Sequence, residues 1–364
     1  MNIAIVGAGM AGMYLCEYLH PHANISVFHN EQPDMASKGQ SFLFHPFPGR
    51  SLEIVPHLKA AVIETTKILE HWSRLFPALI RSQQMIRYFK GTNGSRLEKS
   101  YQRWWKERDE NWINFKEYST PNRHETSSLQ LPYSSIGYSP AFVIDFGELR
   151  HSLIQHYRGK GVHFILSSID TLKASGAQWV VEQHEKPFDL VILALGTASK
   201  EWFPDLKLTT QGGSLLQLEM PTTLNHLFSL DGLHIGEHHS GDWVIGSTRW
   251  HQMPPPISEI NQLKEKLNRM FPTLKQGNTV SLWSGNRCIY PADRLPLCGE
   301  LPHQKGIQIL TALGSKGMLW GPFCAQKLSR FILFQEPIPQ DIDLMRANKE
   351  DGWFSEKIIG GLNS

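Results

Sequence analysis

Cysteine is scarce. Only Cys16, Cys288, Cys298 and Cys324 occur in 364 residues. No two of them form a C-x-x-C pair, and their spacing suits neither a zinc ribbon nor a disulfide framework. An excess of one charge is also lacking. Lys plus Arg number 36 against 34 Asp plus Glu, a formal net charge of +2. Such balance argues against an extended nucleic-acid surface, which needs clustered basic charge. No apolar run reaches the roughly 18 residues of a membrane span, and there is no internal repeat or low-complexity segment. Histidine is plentiful, at 17. The pairs His20/His22 and His238/His239, however, have no carboxylate or cysteine partner at ligand spacing, so solvated or hydrogen-bonded histidines and no metal are expected. The first residues, Met1-Asn2-Ile3-Ala4-Ile5-Val6-Gly7, lack the charged and apolar regions of a signal peptide and read as a strand. With unpaired cysteines, this gives a cytoplasmic location as the expectation.

What remains is a chain able to bury a sizeable core, with 41% hydrophobic and 19% charged residues. Its length suits about two domains. Aromatic residues make up 10%, including 11 Trp. A large core accounts for them, and pocket lining is the alternative in the inserts described below.

Chemistry enters in the first forty residues. Ile3-Ala4-Ile5-Val6 is a short apolar strand that runs into Gly7-Ala8-Gly9-Met10-Ala11-Gly12. Met13, Tyr14, Leu15, Tyr18 and Leu19 then recur at helical spacing, and Ile25-Ser26-Val27-Phe28 is a second strand. A G-x-G-x-x-G between a strand and a helix is a dinucleotide-binding turn. Gly7 permits the tight turn, Gly9 lets backbone approach a pyrophosphate, and Gly12 lets the helix pack closely. The acid expected at the end of the second strand, for the ribose hydroxyls, is missing. His29, Asn30 and Glu31 stand there instead. An imidazole can bond a ribose hydroxyl, and Glu31 is a second candidate. No Arg is placed for a 2′-phosphate, which disfavours NADP.

Later segments extend the pattern. Ala36-Ser37-Lys38-Gly39-Gln40-Ser41-Phe42-Leu43-Phe44-His45-Pro46 is a small polar loop that turns apolar. Gly161-Val162-His163-Phe164-Ile165 is strand-like, with Ile169 following. Asp189-Leu190-Val191-Ile192-Leu193 is a buried strand that ends in Ala194-Leu195-Gly196. Gly285-Asn286-Arg287-Cys288 precedes Asp293-Arg294-Leu295-Pro296-Leu297-Cys298-Gly299. Ile309-Leu310-Thr311-Ala312-Leu313-Gly314-Ser315-Lys316-Gly317-Met318 ends a strand and opens a helix.

In this order the segments resemble the D-amino-acid-oxidase-like family of FAD-dependent oxidoreductases. They are similar to glycine and sarcosine oxidases and to the oxidase portion of the enzyme of tRNA methylaminomethyl-thiouridine synthesis. The resemblance covers residues 1 to about 335, and one extra residue stands between Arg287 and Asp293. It implies an α/β fold: a Rossmann-like FAD-binding domain of glutathione-reductase type with an interleaved α+β substrate domain. The expected FAD-binding pieces are 1–85, 137–205 and 284–340. The inserts 86–136, with Trp104, Trp105, Trp112 and Phe115, and 206–283, with Trp243, form the substrate or cap domain. The tail 341–364 is expected to pack weakly.

The resemblance also implies roles. FAD would touch Gly7, Gly9, Met10, Ala11 and Gly12 at its phosphates, and His29 and Asn30 at its ribose. Further cofactor contacts fall on Ser37, Lys38, Phe44, His45, Ile169, Ala194, Leu195, Gly196, Arg287, Gly314, Ser315, Lys316, Gly317 and Met318. Arg287 would hold a substrate carboxylate, its alternative being an ion pair with Asp293. Lys316 would polarise the flavin edge or activate oxygen, its alternative being to point outward. Arg50 and His45 are candidates for the pocket face. Cys288 invites comparison with a covalent flavin cysteine, but its spacing to Asp293 favours non-covalent FAD.

The implied reaction is hydride transfer from a small amine or amino acid to flavin N5. The imine is then hydrolysed, and oxygen reoxidises the flavin to give hydrogen peroxide. The partners are a small amine and oxygen, without nucleic acid or membrane; the oligomeric state is open. A tRNA-modifying oxidase, a flavin monooxygenase and a non-catalytic flavoprotein stay open as alternatives.

Overall fold

The structure, a computed structural model, describes residues 1–31, 35–39, 42–46, 56–89, 99, 135–182, 184, 186–220, 224, 226–230, 233–252, 256–271, 277–347 and 355–360. Short helical turns aside, the elements in chain order are β1 (Asn2–Val6), α1 (Met10–Leu19), β2 (Asn24–His29), β3 (Phe42–Phe44), α2 (Leu58–Leu75), β4 (Ile80–Phe89), β5 (Ser135–Ile144), α3 (Phe146–Gly159), β6 (His163–Leu166), β7 (Leu172–Ser175), β8 (Gln178–Val181), β9 (Leu190–Leu193), β10 (Thr209–Leu218), β11 (Leu227–Leu230), β12 (Leu233–Glu237), β13 (Trp243–Gly246), α4 (Pro256–Met270), β14 (Thr279–Ile289), β15 (Leu297–Glu300), β16 (Ile307–Thr311), α5 (Gly317–Phe334) and β17 (Ile358–Ile359).

The chain divides into two compact units, each assembled from separated segments. The first comprises Met1–Lys38, Arg150–Gln211 and Asn286–Ser364; the second comprises Gly39–Leu149 and Gly212–Gly285. The first unit holds a six-stranded sheet in the order β15-β16-β9-β1-β2-β6. Every neighbouring pair is parallel except β15–β16. Parallel strands are covered on both faces, which explains why β1 and β9 are unbroken apolar runs rather than alternating ones. A three-stranded sheet, β17-β7-β8, completes this unit. Its core includes Val6, Phe28, Trp179, Val191, Leu193, Phe203, Ile307 and Ile309.

The second unit is built on an eight-stranded sheet, β14-β10-β13-β12-β11-β4-β5-β3. Most of its pairings are antiparallel, and β11–β4 is parallel. Helix α4 starts at Pro256, and its apolar positions recur every three to four residues. Leu263 and Leu267 are fully buried, with Ile260 packed beside them. They meet Leu216, Leu218, Ile235 and Ile245 from the sheet.

Segments 39–85 and 137–149 cluster with the second unit. The reason is hydrogen bonding: β3, β4 and β5 are consecutive neighbours in the eight-stranded sheet. The tail does not pack weakly across its described part. Ile342, Leu344 and Ile358 are buried. The Cys298 N–H donates to the Ile342 carbonyl at 2.9 Å, and β17 pairs with β7. Trp243 is a core residue, 4% exposed, its ring 6.3 Å from that of Phe271. Trp104, Trp105, Trp112 and Phe115 lie outside the described residues. Among the described residues, no helix is long and apolar enough to cross a membrane.

Leu263→Ala is expected to destabilise the protein by about 2–5 kcal/mol, through lost transfer energy and an unfilled cavity. Denaturant unfolding measures it, and a loss below about 1 kcal/mol would contradict the core position.

Candidate functional site

The parallel sheet has a switch point. From β1 the chain builds outward through β2 and β6 on one side, and returns to add β9 and β16 on the other. Open α/β sheets bind ligands at the carboxyl ends of strands at such a place. Here those ends are Gly7, after β1, and Ala194, after β9. Gly7 has φ +118°, and a Cβ on it would lie 2.3 Å from the Ala194 carbonyl oxygen. A Cβ on Gly12 would lie 2.0 Å from the Gly7 carbonyl oxygen. Both glycines are therefore required by close backbone approach. The Gly7 N–H donates to Phe28 O at 2.7 Å, and Ala194 N–H donates to Val6 O at 2.9 Å.

The first helical bond of α1 runs from Met13 N–H to Gly9 O at 3.0 Å. The amides of Met10, Ala11 and Gly12 thus fall in the first turn, where helix donors lack an intrahelical acceptor. Gly9 supplies no side-chain cap, and the first turn holds no acid. The result is a helix start with positive partial charge and available donors, the usual cradle of a phosphate. A Cβ on Gly9 would come within 3.2 Å of Ser37 Oγ, so the Ala36–Lys38 turn lies over this loop.

A second helix start adjoins the first. After β16, Ala312 and Gly314 both adopt positive φ, 58° and 57°. For Ala312 that conformation is strained, a feature common at functional turns. The Gly314–Lys316 turn, which includes Ser315, then opens α5. Its N-terminus has no side-chain cap and no acid in the first turn. A Cβ on Gly317 would sit 3.0 Å from Met10 Sδ, and one on Gly321 only 2.5 Å from the Tyr14 ring. The Tyr14 hydroxyl reaches Met318 Sδ at 3.5 Å. These contacts lay α1 and α5 side by side with their starts together. Leu195 and Gly196 open a short turn at the end of β9.

At the end of β2 the arrangement was not legible in the sequence. Arg150, on α3, is fully buried. Its Nε donates to Ala8 O at 2.6 Å, inside the glycine loop. Its two terminal nitrogens donate to Glu31, Nη2 to Oε1 at 2.7 Å and Nη1 to Oε2 at 3.2 Å. Lys38 Nζ stands 3.2 Å from the same carboxylate. Burial pulls the Glu31 carboxyl upward, but Arg150 and then Lys38 outweigh it and hold it at about 2. The His29 imidazole is pushed below its ordinary value by burial and then by the Arg150 charge, against the opposing pull of Glu31. His29 Nδ1 comes within 3.3 Å of Glu31 Oε1, a close approach outside hydrogen-bond geometry. Both ring nitrogens are buried without a hydrogen-bond partner. Arg150 gave no sequence signal, since one Arg on a helix reads as solvated. Asn30 follows His29 directly.

The other candidates divide between the units. Ile169 is 7% exposed and packs in the first unit's core. Asn286 bridges to Met35, beside the Ala36–Lys38 turn. Its neighbour Arg287 is half-buried on β14. Cys288 faces the first unit's core, and alternation along a strand turns Arg287 to the opposite face. Asp293, the alternative partner of Arg287, is instead held by Arg346 at 3.0 and 3.2 Å. Lys316 is half-buried at the α5 start, not fully outward. Burial pushes the Cys288 thiol up, and the Thr311 hydroxyl stands 3.7 Å from its sulfur. Phe44 and His45 belong to the second unit. Phe44 is buried with its ring 6.2 Å from that of Phe142. Burial, then Arg87, then His234 push the His45 imidazole well below its ordinary value. Arg50 lies outside the described residues.

Two outcomes are expected here. Gly12→Ala forces α1 off the Gly7 carbonyl at a cost of about 1–3 kcal/mol, and purified protein should retain about tenfold less bound cofactor. Unchanged retention would remove Gly12 from the loop argument. The depressed Glu31 carboxyl contributes stability that is fully present above about pH 4.5 and lost as pH falls through about 2. Wild type should therefore be more stable than Glu31→Gln at neutral pH, with the gap closing in acid. A gap independent of pH would contradict the ion pairs.

The chain matches the family described as FAD dependent oxidoreductase across residues 2–330. The structure is similar to that of iminodiacetate oxidase from Chelativorans sp. BNC1, at 15% identity and a TM-score of 0.78, covering 93% of this chain and 97% of that one. It is also similar to glycine oxidase from Geobacillus kaustophilus, at 16% identity and a TM-score of 0.77, covering 92% and 95%. A local match joins it to the tRNA 5-methylaminomethyl-2-thiouridine biosynthesis bifunctional protein of Polaromonas naphthalenivorans (strain CJ2). That match is 30% identical over 110 residues, 28% of this chain and 17% of the relative. With the glycine loop and the paired helix starts already in place, the match across residues 2–330 makes this chain an FAD-dependent oxidoreductase of the DAO family.

Proposed function

We propose that the protein oxidises a small amine or amino acid, with oxygen as the acceptor and hydrogen peroxide as the product. The observation that carries this reading is the meeting of two uncapped helix starts, α1 and α5, through Met10 and Gly317 at the sheet's switch point. One suits the pyrophosphate of a bound FAD. The other suits the pyrimidine edge of its ring, where negative charge develops on reduction.

The residues fit FAD. Gly7 and Gly12 let the strand ends and α1 close up backbone to backbone, and Gly9 keeps the loop free of a side chain beside Ser37. The amides of Met10 and Ala11 would serve the phosphates, with Ser37 and Lys38 beside them. His29, whose buried ring nitrogens have no hydrogen-bond partner, would take the ribose hydroxyls together with the backbone of Asn30. Ile169 would contact the adenine through its backbone. Ala194, Leu195 and Gly196 would line the cofactor where it crosses the sheet end. Gly314, Ser315, Lys316, Gly317 and Met318 would present the α5 start to the ring. When bound, FAD supplies the hydride acceptor for the substrate carbon.

The chain's own groups position the substrate. Arg287, on the β14 face opposite Cys288, would bind a carboxylate through its planar fork. Lys316 would add positive charge at the ring edge, which suits oxygen activation. Cys288 faces the core with its thiol raised by burial, so it is a poor nucleophile and the cofactor is held non-covalently.

Peroxide release across a panel of amino acids and secondary amines, iminodiacetate and glycine included, tests this reading. At least one should release peroxide without NADPH; none doing so would overturn it. Arg287→Ala should raise KM for an acidic amine by about 10- to 100-fold while the protein keeps its flavin, and an unchanged KM would remove Arg287 from that role. Flavin that stays on the protein after acid precipitation would overturn non-covalent binding. The local match to the tRNA thiouridine relative supports a second reading, oxidation of a modified nucleoside in tRNA. This fails if tRNA does not bind at low salt.

A further inference from the structure

The pair His238/His239 acquires in three dimensions the carboxylate it lacks in sequence. Asp145 Oδ2 stands 2.7 Å from His238 Nε2 and 2.7 Å from His239 Nδ1. The three ligand atoms lie within 4.8 Å of one another. All three residues belong to the second unit. Asp145 closes β5 and precedes α3, and the two histidines begin the turn between β12 and β13. From these groups we infer a binding site for a divalent transition-metal ion, zinc above all, made by Asp145 Oδ2, His238 Nε2 and His239 Nδ1.

Burial and hydrogen bonding carry the inference. Asp145 is only 5% exposed, yet its Oδ2 receives no hydrogen bond, although two ring nitrogens stand at 2.7 Å. Buried carboxylate oxygens are normally satisfied. A chain of contacts behind His238 explains the orientation of the ring. Ser240 Oγ donates to Asp242 Oδ2 at 2.6 Å, and Gln217 Nε2 donates to the same oxygen at 2.8 Å. With its one proton committed to Asp242, Ser240 accepts from His238 Nδ1 at 2.8 Å. The Ser240 backbone N–H lies 3.3 Å from the same nitrogen. The ring's Nε2 is aimed at Asp145 Oδ2, where a metal ion would bind both atoms. A metal-bound histidine usually gives its other ring nitrogen to a carboxylate, carbonyl or water; here the Ser240 hydroxyl stands in that place.

The cluster lies against Ala78, Leu79, Arg81 and Val143. The Arg81 guanidinium is already engaged by Glu237, through its backbone carbonyl and its carboxylate. His238 is 11% exposed and His239 is 38% exposed. Ligand atoms around tetrahedral zinc stand roughly 3.4 Å apart, and rotation of the half-exposed His239 supplies that opening. Two nitrogens and one oxygen leave a fourth position for water, the three-ligand pattern that zinc tolerates well. Metal there would tie the β12–β13 turn to the β5–α3 junction.

The test uses flavin-loaded protein, chelator-treated, given equimolar zinc, desalted and assayed for metal by mass spectrometry. Wild type should keep one zinc per chain. Asp145→Asn, which retains a helix-capping side chain, and His239→Ala, at a half-exposed position, should each bind at least about tenfold more weakly. The double variant His238→Ala/His239→Ala should keep none above background. Zinc should also raise the melting temperature of wild type and leave that of His239→Ala unmoved. Wild type retaining no more zinc than the double variant, or an equal thermal shift in both proteins, would overturn the site and leave a hydrogen-bonded His–Asp cluster.

Discussion

Two backbone carbonyls stand where side chains would otherwise be, and the first unit is arranged around that fact. The Ala194 oxygen occupies the place of a Gly7 Cβ, and the Gly7 oxygen occupies the place of a Gly12 Cβ. The first contact sets how closely the ends of β1 and β9 approach at the switch point. The second sets how closely α1 lies on the sheet. Against α1, Gly317 and Gly321 let α5 approach Met10 and Tyr14 closely, where larger residues would meet them. The electrostatics of two helix starts in one place thus follow from steric exclusion between backbone atoms.

Around this loop a buried cation replaces the expected pattern. In the usual arrangement an acid at the end of the second strand faces the ribose. Here the acid comes two residues later and is engaged by Arg150, whose Nε also holds the Ala8 carbonyl. A buried guanidinium is costly unless its donors are satisfied, and Glu31 with Ala8 takes one bond from each of its three nitrogens. The same charge holds the Glu31 carboxyl down, and after burial it also pushes the His29 imidazole down. The departure at His29 is therefore part of a substituted network, in which loop, helix α3 and second strand are tied by one side chain.

The second unit follows a different rule. Its sheet is mostly antiparallel, and α4 covers part of it through Leu263 and Leu267. Antiparallel strands leave turns between neighbours, and such turns are where polar side chains collect. The turn after β12 brings His238 and His239 to Asp145, a residue that closes a strand of the same sheet. Burial at that junction makes the unsatisfied carboxylate oxygen consequential, since the same group on the surface would be solvated.

Local chemistry was readable in order along the chain. Gly7, Gly9 and Gly12 were legible because a tight turn and close backbone approach exclude other residues whatever the rest of the fold does. Apolar runs marked β1 and β9 as buried parallel strands, and helical spacing marked α4. The assignment of 39–85 and 137–149 to one unit or the other was not legible, because strand pairing is non-local and β3, β4 and β5 carry no sign of their neighbours. Arg150 and Asp145 were silent for the same reason: a single charged residue announces neither its burial nor its partner. By itself the sequence determined the dinucleotide loop and the family, which rest on residue type and short spacing. Only the tertiary structure decided which distant charges meet, because burial and partnership are properties of the packed chain.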